Sequence, residues 1–155
     1  MLRSMTEPGQ ITYSTGKASE KDILKHLQAC NDAFVPPLSS RVDLETYSRK
    51  LSEKAVTFEA WAEGRLMGLI AAYFNNDEKQ AFITSVSVVS SYKQHGVAST
   101  LLAHCKEHAQ QGHFSEIRLE VNKDNVPAVR FYTKYQFAQT HIANDVWTMS
   151  YHLNS

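Results

Sequence analysis

The chain has 155 residues, 43% of them hydrophobic and 21% charged, which predicts a single folded domain over residues 1–155 and excludes extensive disorder. Its 16 basic and 16 acidic side chains give a formal net charge of zero. The protein therefore lacks the excess of positive charge that is typical of nucleic-acid-binding proteins, and no nucleic acid partner is expected. No stretch approaches the ~18 consecutive apolar residues of a membrane span, so no membrane partner is expected.

The N-terminus and the cysteines indicate a cytoplasmic protein. The opening "MLRSMTEPGQ" lacks the apolar run of a signal peptide, and we expect residues 1–10 to be flexible. Cys30 and Cys105 are too few and too far apart for a disulfide scaffold or a zinc knuckle. Two free, buried thiols in a reducing cytosol are therefore expected.

The first third of the chain predicts an edge or first strand over Ile11–Thr15 and two helices. Ser19 is a suitable N-cap for the first helix, with Asp22 three residues further on, and Asp43 is a suitable N-cap for the second. The predicted buried face of the first helix is formed by Ile23, Leu24, Leu27 and Cys30.

In the middle of the chain the hydrophobic period changes from helix to strand. Turn signals divide this region into three predicted strands, over Val56–Ala62, Leu66–Phe74 and Gln80–Val89, and the short turns indicate an antiparallel meander. A helix from about Gly96 to Gln110 follows. Its predicted buried stripe is formed by Ala98, Leu101, Leu102, Cys105 and Ala109.

The last third predicts a strand at "SEIRLEV", a helix at "NVPAVRFYTKY" capped by Asn125, and a strand at "VWTMSYHL". The predicted order is β-α-α-β-β-β-α-β-α-β-β, an α+β fold with a mixed sheet, helices on both faces and one right-handed parallel crossover. A ligand site is expected where a strand ends and a helix begins at the parallel step.

The turn "KQHGVAST" lies at that step. The unpaired N–H groups of a helix's first turn attract anions, and Gly96 permits a close approach of the backbone. A single glycine between strand and helix is also an ordinary turn. Taken alone, the residues leave both readings open.

Two motifs together carry a more specific resemblance. One segment has the pattern V-x-x-x-x-K-x-x-G-x-A before "STLL", and a later segment reads "LEVNKDNVPAVRFYTKYQF". Together they resemble the two motifs of the GCN5-related N-acetyltransferase (GNAT) superfamily. Lys93 stands where that family usually has Arg or Gln, and Gln136 stands where it has Gly. The resemblance implies an acyltransferase fold and acetyl-CoA as acyl donor. The implied cofactor-binding residues are Val86, Ser87, Val88, Lys93, Gln94, His95, Gly96, Val97, Ala98, Ser99 and Asn125.

The resemblance also implies catalytic roles for Glu120 and Tyr132. Alternation places Glu120 opposite the apolar face of its strand, and apolar surroundings would raise its basicity, as a general base requires. A structural ion pair with Arg118 or with a lysine is the competing reading. Tyr132 would protonate the departing CoA sulfur, whereas the alternative is a core tyrosine. The helical period puts Val129, Tyr132 and Gln136 on one stripe.

The acceptor implied by the resemblance is a small amine, an amino sugar or a peptide terminus, and a homodimer is allowed. Two segments, "NDAFVPPLSSRVDLETYSRKL" and "THIANDVW", would line its site. The first contains Phe34, Arg41 and Asp43, and nothing in the sequence selects among these acceptors. A non-catalytic acyl-CoA-binding module is the alternative function.

The segment "HCKEH" matches one class of zinc peptidases, which makes a zinc hydrolase a third reading. His104 and His108 are four residues apart on one helix and could reach one metal ion. The helical period, however, places both on the border between the buried stripe and solvent. We therefore predict an exposed helix flank and no metal.

Overall fold

The computed structural model describes residues 10–153, so the flexible start predicted for residues 1–10 lies, apart from Gln10, outside the described part. Within it, strands and helices follow the predicted order. The strands are Thr12–Thr15 (β1), Val56–Ala62 (β2), Arg65–Asn75 (β3), Gln80–Val88 (β4), Glu116–Asn122 (β5), Ala138–Ala143 (β6) and Val146–His152 (β7). The helices are Glu20–Cys30 (α1), Leu44–Lys54 (α2), Val97–Gln111 (α3) and Val126–Lys134 (α4).

All these strands form one 7-stranded sheet in the order β1-β2-β3-β4-β5-β7-β6. Strands β1 to β4 pair antiparallel, which confirms the meander and the edge position of β1. β5 lies parallel to β4, and β7 and β6 then add antiparallel strands. The mixed α+β sheet predicted from the sequence is therefore confirmed, with strand ends shifted by about one residue.

Helices cover both faces of the sheet because β3 is apolar on both faces. Ile70 joins a core in which α3 packs against β2, β4 and β5. Its neighbour Leu69 joins a second core, on the opposite face, with α1 and α2. Burying one such side chain fully contributes about 2 kcal/mol, so both layers add substantially to stability. No helix among the described residues is long and apolar enough to cross a bilayer.

The helix starts follow their sequence signals. The Ser19 hydroxyl accepts from the Asp22 N–H at 3.1 Å, and the Asp22 carboxylate accepts from the Ser19 N–H at 3.0 Å. Asp43 accepts from the Thr46 N–H at 3.0 Å, and its hydrogen bonds with Thr46 lower the pKa of its carboxyl. Both predicted N-caps are confirmed. Cys30 and Cys105 are free and buried, also as predicted.

The buried stripes of α1 and α3 differ from prediction at one position each. Leu24 is only half-buried, and the stripe of α1 includes His26 instead. Ala98 is half-buried, while Val97 is buried at the start of α3. Val97 packs closely on β3 because Gly68 has no side chain: a Cβ there would lie 2.6 Å from Val97 Cγ1. This contact fixes the start of α3 against the sheet.

A buried carboxylate on β2 holds the segment between β1 and α1. Glu59 is fully buried and accepts hydrogen bonds from the hydroxyls of Ser14 and Thr57, both at 2.6 Å. It also accepts from the backbone N–H groups of Lys17 at 3.0 Å and Ala18 at 2.8 Å. These bonds compensate the cost of burying the carboxylate and fix where α1 begins.

Candidate active site

A cleft lies where the two parallel strands separate. β4 and β5 pair only as far as Ile83 and Leu119. Thr84 is an extra residue in β4, since Ala72 pairs with Ile83 and Ala71 with Ser85. Such a bulge bends its strand. Beyond the bulge β4 remains paired with β3 and β5 remains paired with β7. A cleft of about 570 Å³ opens between β4 and β5.

The cleft edge of β4 carries peptide groups that have no backbone partner in the described part of the chain. The Val89 N–H donates to the Met67 carbonyl on β3 at 2.9 Å. Successive residues of a strand point their peptide groups to opposite edges, so Ser87 also faces β3, while Val86 and Val88 face the cleft. The side chains of both valines pack against the core. An extended chain in the cleft would therefore find N–H and C=O partners at Val86 and Val88.

The Ser87 side chain is held from the other face of the sheet by His26. The Nδ1 atom of His26 lies 3.0 Å from the Leu66 carbonyl, and its Nε2 atom lies 2.8 Å from the Ser87 hydroxyl. Because a carbonyl only accepts, Nδ1 carries the proton and Nε2 accepts from Ser87. Burial lowers the pKa of His26 to about 4, so the ring is neutral at pH 7.

We expect His26 to make the protein less stable as the pH falls from 6.5 towards 4. The unfolded chain protonates this residue near its ordinary pKa of 6.5, whereas the folded chain does so only near 4. This difference between the two pKa values corresponds to about 3 kcal/mol of unfolding free energy. The contribution is fully present above pH 6.5 and is lost as the pH falls to about 4. Urea unfolding of His26→Gln across this range should show a shallower pH dependence.

The control for that experiment is His141→Gln, since His141 is exposed. It should keep the pH dependence of the wild type. An unchanged pH slope in His26→Gln would show that other groups cause the acid sensitivity.

The turn before α3 presents a row of backbone N–H groups to the cleft. Gly96 adopts the left-handed conformation, with φ of 75°, and caps α3. The first N–H of the helix with a backbone partner is that of Thr100, which donates to the Gly96 carbonyl at 3.0 Å. Among the described residues, the N–H groups from Gln94 to Ser99 find no such acceptor. This arrangement suits a phosphate or pyrophosphate.

The predicted cofactor residues mostly come together here. Those lining the cleft are Val86, Ser87, Val88, Lys93, Gln94, Gly96, Val97, Ala98, Ser99 and Asn125. His95 is the exception, since it does not line the cleft and its ring lies 6.4 Å from that of Tyr92. The Asn125 side chain also caps α4, where it accepts from the Ala128 N–H at 3.3 Å. Its predicted capping role is confirmed.

Tyr132 reaches the cleft from α4. Its ring is buried, with 8% of its surface exposed, against Phe131 and Phe137. Burial raises the pKa of Tyr132, so its hydroxyl keeps its proton at neutral pH. No described residue forms a hydrogen bond with this hydroxyl, which leaves it available to a bound molecule. The predicted stripe was wrong at Gln136, which is exposed and lies beyond the end of α4.

Glu120 lines the same cleft from β5, on the face that alternation predicts. Two expectations about it were wrong. Its surroundings are not apolar, because its side chain is exposed. Arg118 does not pair with it either, since the Arg118 guanidinium contacts Glu116 at 3.0 Å. The Glu120 carboxylate therefore faces the cleft without an ion-pair partner in the described part of the chain.

Of the two segments expected to line an acceptor site, only the first reaches the cleft. Ala33, Phe34, Val35 and Arg41 line it, from the connection between α1 and α2. No residue of "THIANDVW" does so, because that segment belongs to β6, its turn and the start of β7 at the sheet edge.

The two histidines of "HCKEH" pack on aromatic rings. His104 is half-buried, with its ring 5.6 Å from that of Tyr13, and the exposed His108 lies 4.7 Å from Phe74. The prediction of an exposed flank is right for His108 and wrong for His104. Within residues 10–153, no three His, Cys, Asp or Glu side chains form a group that could hold a metal ion.

Comparisons with known proteins agree on one family. The model described as "Acetyltransferase (GNAT) family" matches residues 21–137. N-alpha-acetyltransferase 60 of Danio rerio is 37% identical over 76 residues, which cover 47% of this chain and 31% of that protein. The chain thus spans about a third of the length of this relative. Streptothricin acetyltransferase A of Bacillus subtilis (strain 168) is 31% identical over 85 residues, 55% of this chain and 49% of that protein.

The fold also matches a solved structure along nearly its whole length. The PaiA N-acetyltransferase from Thermoplasma acidophilum, crystallised in complex with coenzyme A, has a TM-score of 0.72 and 16% identity. The match covers 92% of this chain and 99% of that one. At this identity the likeness establishes a common fold.

Proposed function

Because this chain belongs to the acetyltransferase (GNAT) family, we propose that it is an acetyl-CoA-dependent N-acetyltransferase acting on a primary amine. The observation that carries the proposal is the cleft between β4 and β5. A single cavity contains unpaired N–H groups for a pyrophosphate, unpaired peptide groups for an extended arm, and a buried tyrosine hydroxyl. These features match, in order, the parts of an acyl-CoA thioester.

The donor would lie along the cleft from the α3 turn to Tyr132. The backbone N–H groups from Gln94 to Ser99 would hold the pyrophosphate, and the Lys93 ammonium would add positive charge. Lys93, which stands where the family usually has Arg or Gln, fits this mode of pyrophosphate binding, because the backbone would provide most of the contacts to the pyrophosphate. The pantetheine arm would pair with Val86 and Val88 as an added strand.

The chemistry we propose is direct transfer. The acceptor ammonium gives one proton to Glu120, and the neutral amine attacks the thioester carbonyl, forming the C–N bond and a tetrahedral oxyanion. The oxyanion collapses, the C–S bond breaks, and Tyr132 gives its proton to the departing CoA sulfur. The surplus proton on the nitrogen passes through solvent to the Tyr132 phenolate, which leaves the neutral amide and restores the tyrosine. Neither side chain has a hydrogen-bond or ion-pair partner among residues 10–153, which supports these roles, since each is then available to the reacting groups.

The names of the chain's relatives indicate different acceptors, since one is an N-alpha-acetyltransferase and another is a streptothricin acetyltransferase. A family membership therefore leaves the acceptor open. A primary amine is the element common to these reactions.

Release of the CoA thiol in the presence of a broad amine panel tests the proposed function. We expect acetyl-CoA to bind and at least one amine to accelerate CoA release well above hydrolysis in its absence. Mass spectrometry of that acceptor should show one added acetyl group. Binding of acetyl-CoA without CoA release across the panel would instead support a non-catalytic acyl-CoA-binding module.

A further inference from the structure

The connection between α1 and α2 forms one wall of the cleft. Its position is fixed by Tyr47 on α2, whose hydroxyl donates to the Thr84 carbonyl at 3.1 Å. Arg41 belongs to that connection and lines the same cleft as Thr84, the bulge residue at which β4 and β5 separate.

This wall contributes a cation to the cleft and no anion. Asp43 forms hydrogen bonds with the N–H and hydroxyl of Thr46 as the cap of α2, and it does not line the cleft. Arg41 does line it and is exposed, and its guanidinium has no ion pair or hydrogen bond to any described residue. Phe34 and Val35 provide the apolar part of the same wall.

The charges of the whole lining are predominantly positive. Glu120 is the only carboxylate among the residues that line the cleft within residues 10–153, and the cations are Arg41, Lys93 and Lys134. Lys93 lies at the α3 turn, where the phosphates of the donor would bind. Near the reacting end, an acceptor would therefore meet one carboxylate, suited to its ammonium group, and an unpaired guanidinium.

We propose that the acceptor is an amine that also carries a carboxylate, that is, an amino acid, and that Arg41 binds this carboxylate. A guanidinium matches a carboxylate with two parallel hydrogen bonds, which gives orientation as well as affinity. With its carboxylate on Arg41, the acceptor points its amino group towards Glu120 and its side chain towards Phe34 and Val35. This inference rests on the proposed acetyltransferase function.

The test compares each of the twenty standard L-amino acids with its own carboxamide as acceptor, following CoA thiol release. The wild type should favour the carboxylate over the carboxamide at least about 10-fold in kcat/KM, as expected when a charged recognition group is removed. Arg41→Gln should lose the preference, Arg41→Glu should invert it, and Arg41→Lys should retain part of it. The KM for acetyl-CoA should stay unchanged in all three variants.

The matched control is Arg49→Gln, because Arg49 is also exposed but pairs with Glu20 and does not line the cleft. It should keep the preference of the wild type. Equal rates for carboxylate and carboxamide, or acetylation of polycationic amines alone, would overturn the inference and leave the acetyltransferase function standing. A higher acetyl-CoA KM in Arg41→Gln would assign Arg41 to the donor and also overturn it. Absence of CoA release with every amine would overturn the proposed function itself.

Discussion

Replacing Tyr132 by phenylalanine is expected to lower kcat about 100-fold while leaving acetyl-CoA binding nearly unchanged, since general acid catalysis typically contributes that much or more. The substitution removes one oxygen atom and keeps the ring that packs against Phe131 and Phe137. Because no described residue bonds the hydroxyl, its loss leaves no protein group unpaired. The thiolate of CoA would then leave without a proton donor in place.

Steady-state rates of CoA release and a direct acetyl-CoA binding measurement together test this expectation. Tyr13→Phe is the matched control, since Tyr13 lies on β1 and does not line the cleft. Full turnover in Tyr132→Phe would show that Tyr132 is a core residue and that the sulfur receives its proton from elsewhere. Loss of acetyl-CoA binding would instead indicate a role in shaping the cleft.

Replacing Glu59 by alanine is expected to lower the free energy of unfolding by about 4 kcal/mol, the sum expected for several lost charge-assisted hydrogen bonds in a buried site. The carboxylate accepts from two hydroxyls and two backbone N–H groups, all within 3.0 Å. Alanine would leave the Lys17 and Ala18 N–H groups without an acceptor. The segment that leads into α1 would lose its attachment to β2.

Chemical denaturation of Glu59→Ala, Glu59→Gln and wild type measures this effect. Glu59→Gln should lose less than Glu59→Ala, because the amide oxygen still accepts while the amide nitrogen cannot. Glu53→Ala serves as control, since Glu53 is exposed on α2, and should change stability by no more than about 0.5 kcal/mol. A loss below about 1 kcal/mol in Glu59→Ala would mean that the neighbouring donors find other acceptors.

Local signals in the sequence were sufficient to predict the elements and their order. Ser19, Asp43 and Asn125 each accept a backbone N–H at a helix start, as their residue types and positions predict. The stripe of α1 could have included His26 from its spacing, three residues after Ile23 and one before Leu27. Its place in the core was missed because a histidine is buried only when its ring nitrogens find partners.

The candidate site was predictable in part, because its residues belong to two sequence motifs. The turn at Gly96 and the position of Tyr132 follow from these motifs and the strand–helix pattern. The surroundings of Glu120 were predicted wrongly, since alternation assigns a face to a side chain but says nothing of what lies opposite that face. The location of "THIANDVW" away from the cleft depended equally on long-range pairing.

The sequence by itself determined the mixed sheet, the covering helices and the turn at Gly96, because hydrophobic period, N-caps and a left-handed glycine act over a few residues. Only the tertiary structure decided where the cleft opens and what faces it. The bulge at Thr84 parts β4 from β5, and the hydrogen bond from Tyr47 to Thr84 holds the start of α2, and with it the connection that carries Arg41, beside the cleft. Both depend on contacts between residues far apart in the chain, which no local pattern encodes.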